Sequence, residues 1–149
     1  MKKSIKKILI SLCACIVLTS TLAGCAVMPM KKTTLQEVYD ASPDIQKSFD
    51  DDIKEFKRTN SDAYSDAQID ITGNQISYIF TFKETMPATY KNLFLAALGN
   101  SLTIQCQTQV NSLRKNATYL TSDPVSMRYV FLNPDGSEFY SYTYTEPQN

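Results

Sequence analysis

The side chains able to do chemistry are few, and their spacing excludes most reaction classes. The chain has no His, so Ser-His-Asp and Cys-His pairs built on the usual base are ruled out. Ser112-Leu113-Arg114-Lys115 has the Ser-x-x-Lys spacing of penicillin-binding enzymes. It stands alone, with no partner motif, and reads as a chance match. Cys106 falls on an apolar helical stripe and reads as a buried structural thiol rather than a nucleophile. Zinc has neither His nor paired Cys to bind it. The four glycines are scattered at 24, 73, 99 and 136, so no phosphate-cradling loop is present. Asp50-Asp51-Asp52 reads as a solvated helix face, because calcium asks for six or more oxygens, often from a loop. A hydrolase that works with two carboxylates alone stays open, since two acids suffice, although nothing singles out a pair. No metal site and no cofactor are expected, and the non-catalytic reading is preferred.

Cys25 is the exception, and its setting explains it. Lys2, Lys3, Lys6 and Lys7 give a positive start, Ile8 to Leu22 is apolar, and small residues lead into the cysteine. That is the plan of a secretory signal peptide, with the lysines retained inside the cell. Leu22-Ala23-Gly24-Cys25 resembles a bacterial lipobox. The resemblance implies diacylglycerol on the Cys25 sulfur, cleavage before it, and a mature chain of residues 25–149. The rival is an uncleaved span, since residues 8–30 carry no charge; the Leu-Ala-Gly-Cys order favours cleavage. Cys15 also follows Leu12 and Ala14, but an apolar run ending there is too short for a signal. Two acyl chains anchor stably where one does not. Residues 25–32 then form a tether, and Ala26 to Lys32 reaches roughly 25 Å. The expected location is the outer face of the cell membrane.

Removing residues 1–24 removes four of the 15 basic residues and none of the 15 acidic ones, which leaves a net charge of −4. A mildly acidic domain is a poor nucleic-acid binder. Besides Cys25, only Cys106 remains, so no intrachain disulfide framework exists. The mature length suits one domain, placed at residues 33–146.

The elements follow from pattern. Thr34 with Glu37 reads as a capping box. Ser42-Pro43 restarts a helix, Ser42 as N-cap and Pro43 at the first position. Ile45, Phe49, Ile53 and Phe56 then mark one face of a helix to about Arg58. Alternating apolar residues flank Gly73-Asn74, a two-residue hairpin signal. The turn pairs Ile71 with Ile76, Ile69 with Tyr78 and Ala67 with Phe80 on one face. Asp70–Ser77 and Asp66–Thr81 take the other face. Pro87 opens a long helix whose stripe runs Tyr90, Phe94, Leu98, Leu102, Cys106, Val110 and Leu113 to about Asn116, with Arg114 and Lys115 suiting its C-terminal dipole. Leu102, Ile104 and Cys106 also alternate as a strand would, but the 3.6-residue pattern continues on both sides of Gly99. Val125 to Phe131, the turn Asn133-Pro134-Asp135-Gly136 and residues 137–145 form a second hairpin. The expected fold is α+β: helix, hairpin, helix, hairpin, with an antiparallel four-stranded sheet packed by helices.

The second turn decides where the tyrosines point. A type I turn followed by a glycine bulge places Phe131 opposite Phe139 and Tyr129 opposite Ser141. Val125, Met127, Tyr129, Phe131 and Phe139 then form the core face. The opposite face collects Arg128, Val130, Leu132, Tyr140, Tyr142 and Tyr144, a Tyr-rich surface suited to peptide, protein or glycan. The competing reading has the helices of residues 34–58 covering this face, or the stripe as ordinary sheet surface. Without the bulge, Tyr140 would face Tyr129 and the stripe would turn inward, so one residue of slip reverses the answer.

Gly73-Asn74-Gln75-Ile76-Ser77-Tyr78-Ile79-Phe80 resembles a "G-N-x-I-x-Tyr" hairpin signature. Tyr129 to Phe131 with Asn133-Pro134-Asp135-Gly136-Ser137-Glu138 resembles a second signature of the same family. That family is a set of small lipoproteins of Gram-positive bacteria defined only as a domain of unknown function. The resemblance covers roughly residues 33–145. It implies the helix–hairpin–helix–hairpin order and an outer-surface location, and it supplies no catalytic residues. The expected role is a membrane-anchored, non-catalytic binding or interaction module whose partner is an envelope or secreted protein. The alternative is a cell-wall-directed hydrolase that depends on carboxylates.

Overall fold

The structure, a computed structural model, describes residues 32–117 and 120–147. The expected signal peptide, most of the expected tether and Cys25 lie outside the described residues.

Thr34 caps α1 (Leu35–Ala41) as a capping box: its hydroxyl accepts from Glu37 N at 3.2 Å, and the Glu37 carboxylate accepts from Thr34 N at 2.9 Å. Pro43 opens α2 (Pro43–Thr59), where its fixed φ and missing N–H do no harm. The Ser42 side chain, expected to cap α2, makes no capping bond; only its carbonyl serves, accepting from Gln46 N at 3.1 Å. Phe49 and Phe56 of α2 are buried, and Ile45 and Ile53 flank them.

The first hairpin, β1 (Tyr64–Thr72) and β2 (Gln75–Phe82), has the expected register: Ile71 opposite Ile76, Ile69 opposite Tyr78, Ala67 opposite Phe80, with Asp70–Ser77 and Asp66–Thr81 on the other face. Gly73 takes φ +58°, which only glycine adopts freely. A short 3-10 turn (Ala88–Tyr90) follows Pro87, and α3 (Lys91–Asn116) runs through Gly99 without a break. Phe94, Leu98, Leu102, Cys106 and Val110 are its buried stripe.

The sheet differs from expectation. Its order is β1-β2-β3-β4, with β3 (Ser126–Leu132) and β4 (Glu138–Thr145) as the second hairpin. β2 and β3 are parallel, so the sheet is mixed rather than wholly antiparallel. The cause is α3. Its 26 residues climb about 39 Å, which returns the chain to the end of the sheet where β2 began. A crossover of this length is what a parallel neighbour requires.

α2 and α3 lie on one face of the sheet. Phe56 packs on Phe80 at 4.8 Å, and Phe94 meets Phe131 edge-on at 4.9 Å. Between them run stacked rings across the strands, Tyr78 on Tyr129 at 5.0 Å and Phe80 on Phe131 at 5.4 Å. Such ring pairs add to the stabilisation from burial. Thr33 bridges to Leu120 in parallel, and Gln36 N donates to Gly73 O at 2.9 Å. Thr33 therefore lies at the end of the sheet that holds the first hairpin turn.

Candidate binding surface

The second hairpin decides which side chains share a face. Its turn holds the expected register at first: Asn133 N donates to Ser137 O at 2.8 Å, Gly136 has φ +82°, and Leu132 lies opposite Glu138. The ladder then slips by one residue at Phe139, so Phe131 faces Tyr140, Tyr129 faces Tyr142 and Met127 faces Tyr144. The expected pairs Phe131–Phe139 and Tyr129–Ser141 are not formed. The expected face is therefore split: Arg128, Val130 and Leu132 lie on one side of the sheet, and Tyr140, Tyr142 and Tyr144 on the other, with the core. The slip buries two consecutive rings, Phe139 at 6% and Tyr140 at 7% exposure. A straight ladder would send one of them into water.

Helix α3, and not α1 or α2, covers the tyrosines. Tyr140 packs against Phe94 at 5.7 Å, and burial raises its hydroxyl pKa. Tyr142 shares a 2.7 Å hydrogen bond with the Thr103 hydroxyl. Tyr142 and Tyr144 remain half-buried at the margin of the core.

The other face of the sheet is open. Half-buried Ile79 and Leu132 flank Val130, itself buried at 8% exposure, as a small apolar centre, with Ile79 opposite Val130 and Thr81 opposite Leu132. Asp66, Gln68 and Asp70 border it on β1, and Ser141 and Thr143 on β4. Arg128 pairs with Glu138 at 3.4 Å, both side chains more than 40% exposed, so this pair contributes little to stability. A second concavity, of about 310 Å³, lies where β1 meets the helices. Tyr39, Phe49, Ile53 and Ile69 supply its apolar wall, and Asp50 and Gln68 its polar edge.

The carboxylates are mostly engaged structurally. Hydrogen bonds hold several below the usual range: Glu146 by Arg114, Asp66 by Lys57 and Gln68, Glu55 by Arg58, Asp51 by Lys47, and Asp135 by Ser137. Asp52 moves the other way, raised by partial burial and by the neighbouring Asp51 charge. Asp50 and Asp51 are exposed as expected, whereas Asp52 turns toward the core margin. The Cys106 thiol is buried, which pushes its pKa up to about 12. Among the described residues no group of three or more His, Cys, Asp or Glu could hold a metal ion, and no helix is long and apolar enough to cross a membrane.

Two asparagines do more than the turns required of them. Asn74 accepts from Leu35 N at 3.0 Å, and its amide nitrogen donates to Thr121 Oγ1 at 2.8 Å and Asp123 O at 3.2 Å. Asn133 accepts from Met86 N at 3.0 Å and donates to Ser137 Oγ at 3.0 Å. Each turn is thereby tied to a distant segment. Arg114 adds a third tie: it pairs with Glu146 and donates to Thr121 O at 2.6 Å and to Asp123 O. Sequence spacing suggested only a helix-end charge for Arg114, because its partners come from loops.

No curated protein and no solved structure matches the chain. A family model does, over residues 35–144, which take in every described helix and all but the last residue of β4. Both turn signatures, with Asn74 and Asn133, fall inside that match, and the chain belongs to the family described as Domain of unknown function (DUF4854).

Proposed function

We propose that this chain is a lipoprotein of the outer face of the cell membrane, a non-catalytic binding module held by lipid on Cys25. The observation that carries the reading is the run of four lysines, an apolar stretch and Leu22-Ala23-Gly24-Cys25. The position of Thr33 supports it. A tether that enters at the end of the sheet leaves the open sheet face unobstructed. That face, centred on Ile79, Val130 and Leu132 and bordered by Arg128, is the surface for an envelope or secreted protein partner. Its mix of small apolar centre and polar margin suits a reversible contact. The test is metabolic labelling with an alkyne-bearing fatty acid in a bacterial host. Labelled, processed wild type with an unlabelled Cys25→Ala variant that accumulates unprocessed supports the anchor. An unlabelled wild type in the soluble fraction removes it.

A second reading, a carboxylate-dependent hydrolase acting on the cell wall, has one observation in its favour: Asp52 Oδ2 is buried without a hydrogen-bond partner, and that burial shifts the carboxyl upward. A general acid needs such a shift. Asp52→Asn should abolish release of soluble wall fragments if that reading holds, and should leave it unchanged if the domain only binds.

A further inference from the structure

Helix α3 lacks the division between a buried and a charged face that α2 shows. The solvent side of α2 carries Lys47, Asp51, Lys54, Glu55 and Arg58, joined by ion pairs. From Asn92 to Leu113, α3 has no charged residue at all. Its exposed side instead holds Leu93 at 51% and Ile104 at 64% exposure, while Leu95, at 43%, lies half a turn away near the start of the helix; these are the exposed large hydrophobics among the described residues. Leu93 and Ile104 are eleven residues apart, three turns along the same line. The rest of the outer side is mainly Asn, Gln, Thr and Ser, so α3 has a polar face without the charges that most surface helices carry there.

The edge strand beside it has the same character. β4 ends the sheet, and Phe139 to Thr145 contains neither charge nor proline. Proteins usually guard an open edge with such residues or with a bulge, and the bulge of β4 sits at its start, at Phe139, leaving Tyr140 to Thr145 regular. The Thr103–Tyr142 bond sets this flank of α3 directly over β4, so helix and edge form one continuous uncharged surface. Gly99, one turn before Thr103, has open space beside it, which allows another helix to approach closely.

We propose that this surface is the interface of a two-fold homodimer. β4 pairs antiparallel with β4 of a second copy to make one eight-stranded sheet, and the two α3 helices pack side by side above it. Charge decides the partner. The surface offers nothing to a charged target, and the complementary surface it needs is equally free of charge. The exposed residues of α2 and the margins of the open sheet face are charged, so the α3–β4 surface of another copy is the match this molecule supplies. Lipid is disfavoured. Asn100, Gln107, Thr108 and Asn111 on the exposed side would lose their water, and no basic residue between Lys91 and Arg114 would meet headgroups. The area is that of a small interface. α3 and the β4 edge run along the same direction, so the flank is roughly 33 Å long and one helix on one strand deep, roughly 15 Å, on the order of 500 Å² per partner, against about 800 Å² in a standard interface. A two-fold axis normal to the sheet is the closed symmetry that antiparallel edge pairing produces. The half-buried Tyr142 and Tyr144 would then lie across the junction.

The test uses the full-length chain in bacterial membranes, with single cysteines as reporters and a short bismaleimide. Thr143→Cys, exposed on the β4 edge, should give a band of twice the monomer mass. Asp70→Cys on the opposite edge strand should give no more than the parent chain. Adding Ile104→Glu to Thr143→Cys should lower the yield at least tenfold with the monomer still folded, since Ile104 lies in water in the isolated domain. Equal yields from Thr143→Cys and Asp70→Cys, or a yield that Ile104→Glu does not change, overturn the dimer. Failure of Thr143→Cys to cross-link, together with an Ile104→Cys variant that a water-soluble maleimide labels in detergent but not in membranes, also overturns it, and places α3 on lipid.

Discussion

Breaking the Arg114–Glu146 pair should unfasten the end of the domain where the chain enters. The Arg114 Nε donates to both Glu146 oxygens at 3.1 and 2.8 Å, and its terminal nitrogens reach Thr121 O and Asp123 O. Glu146 also accepts from Val125 N at 3.1 Å. One pair of side chains thus closes the segment before β3 against α3 and the end of β4. Both are 24% exposed, so water screens the pair only in part. Removing one partner of a fully buried pair costs about 3–5 kcal/mol; with a quarter of each side chain wet, Arg114→Met should cost about 2–3 kcal/mol. Glu146→Gln keeps the shape and an acceptor, and should cost about 1–2 kcal/mol. The double-mutant cycle should give a coupling of about 1–2 kcal/mol. The assay is urea unfolding followed by far-UV circular dichroism. The pH dependence is a second readout. The bond from Arg114 holds the Glu146 carboxyl below its ordinary value of 4.5. A depressed carboxyl contributes stability that is present above the unfolded pKa and is lost as pH falls through the folded one. Wild type should therefore lose more stability than Glu146→Gln as the pH is lowered below about 4.5. A coupling near zero, or parallel acid profiles for the two proteins, would refute the clamp.

Three further outcomes follow from burial and bonding. Tyr140→Ala should cost about 3–5 kcal/mol, whereas Arg128→Ala on the open face should change stability by less than about 0.5 kcal/mol; urea midpoints separate the two, and equal small effects would restore an exposed tyrosine face. Asn74→Ala removes three bonds to α1 and the segment before β3, and should cost about 1.5–3 kcal/mol with an unchanged denaturant slope. Cys106, with its thiol pKa pushed up to about 12, should resist an aromatic disulfide reagent at pH 8 in the folded protein and react fully in denaturant.

The local grammar of the chain was legible where one signal acted alone. Gly73-Asn74 sits between strands whose apolar residues, Ile79 apart, fall on one parity, so turn and burial agree and the pairs from Asp66–Thr81 to the turn are fixed. In the second hairpin both parities carry rings, Phe139 on one and Tyr140, Tyr142 and Tyr144 on the other. Hydrophobic pattern then has no single answer. The ladder resolves the conflict by slipping at Phe139, a choice that depends on Phe94 and Phe131 being there to receive both rings. The parallel pairing of β2 and β3 was illegible for a different reason. Strand direction follows from where α3 delivers the chain, and that is a property of the helix's length across the sheet, not of any residue in β3.

The same distinction bears on what the family match can carry. Its two turn signatures hold asparagines whose side chains fasten α1, the segment before β3 and Met86 to the hairpins. Those residues are explained by folding, and a chain that keeps them keeps the architecture whatever it binds. Information about a partner has to sit where folding makes no demand. Ile104 meets that condition: it is mostly in water, packs on nothing in the core and lies on a helix whose polar residues would fold as well with lysine or glutamate among them. A run of 22 helical residues without one charge costs the isolated domain solubility and gives its core nothing. Such a surface is accounted for by a contact outside the monomer, and the uncharged edge of β4 beneath it is where that contact continues.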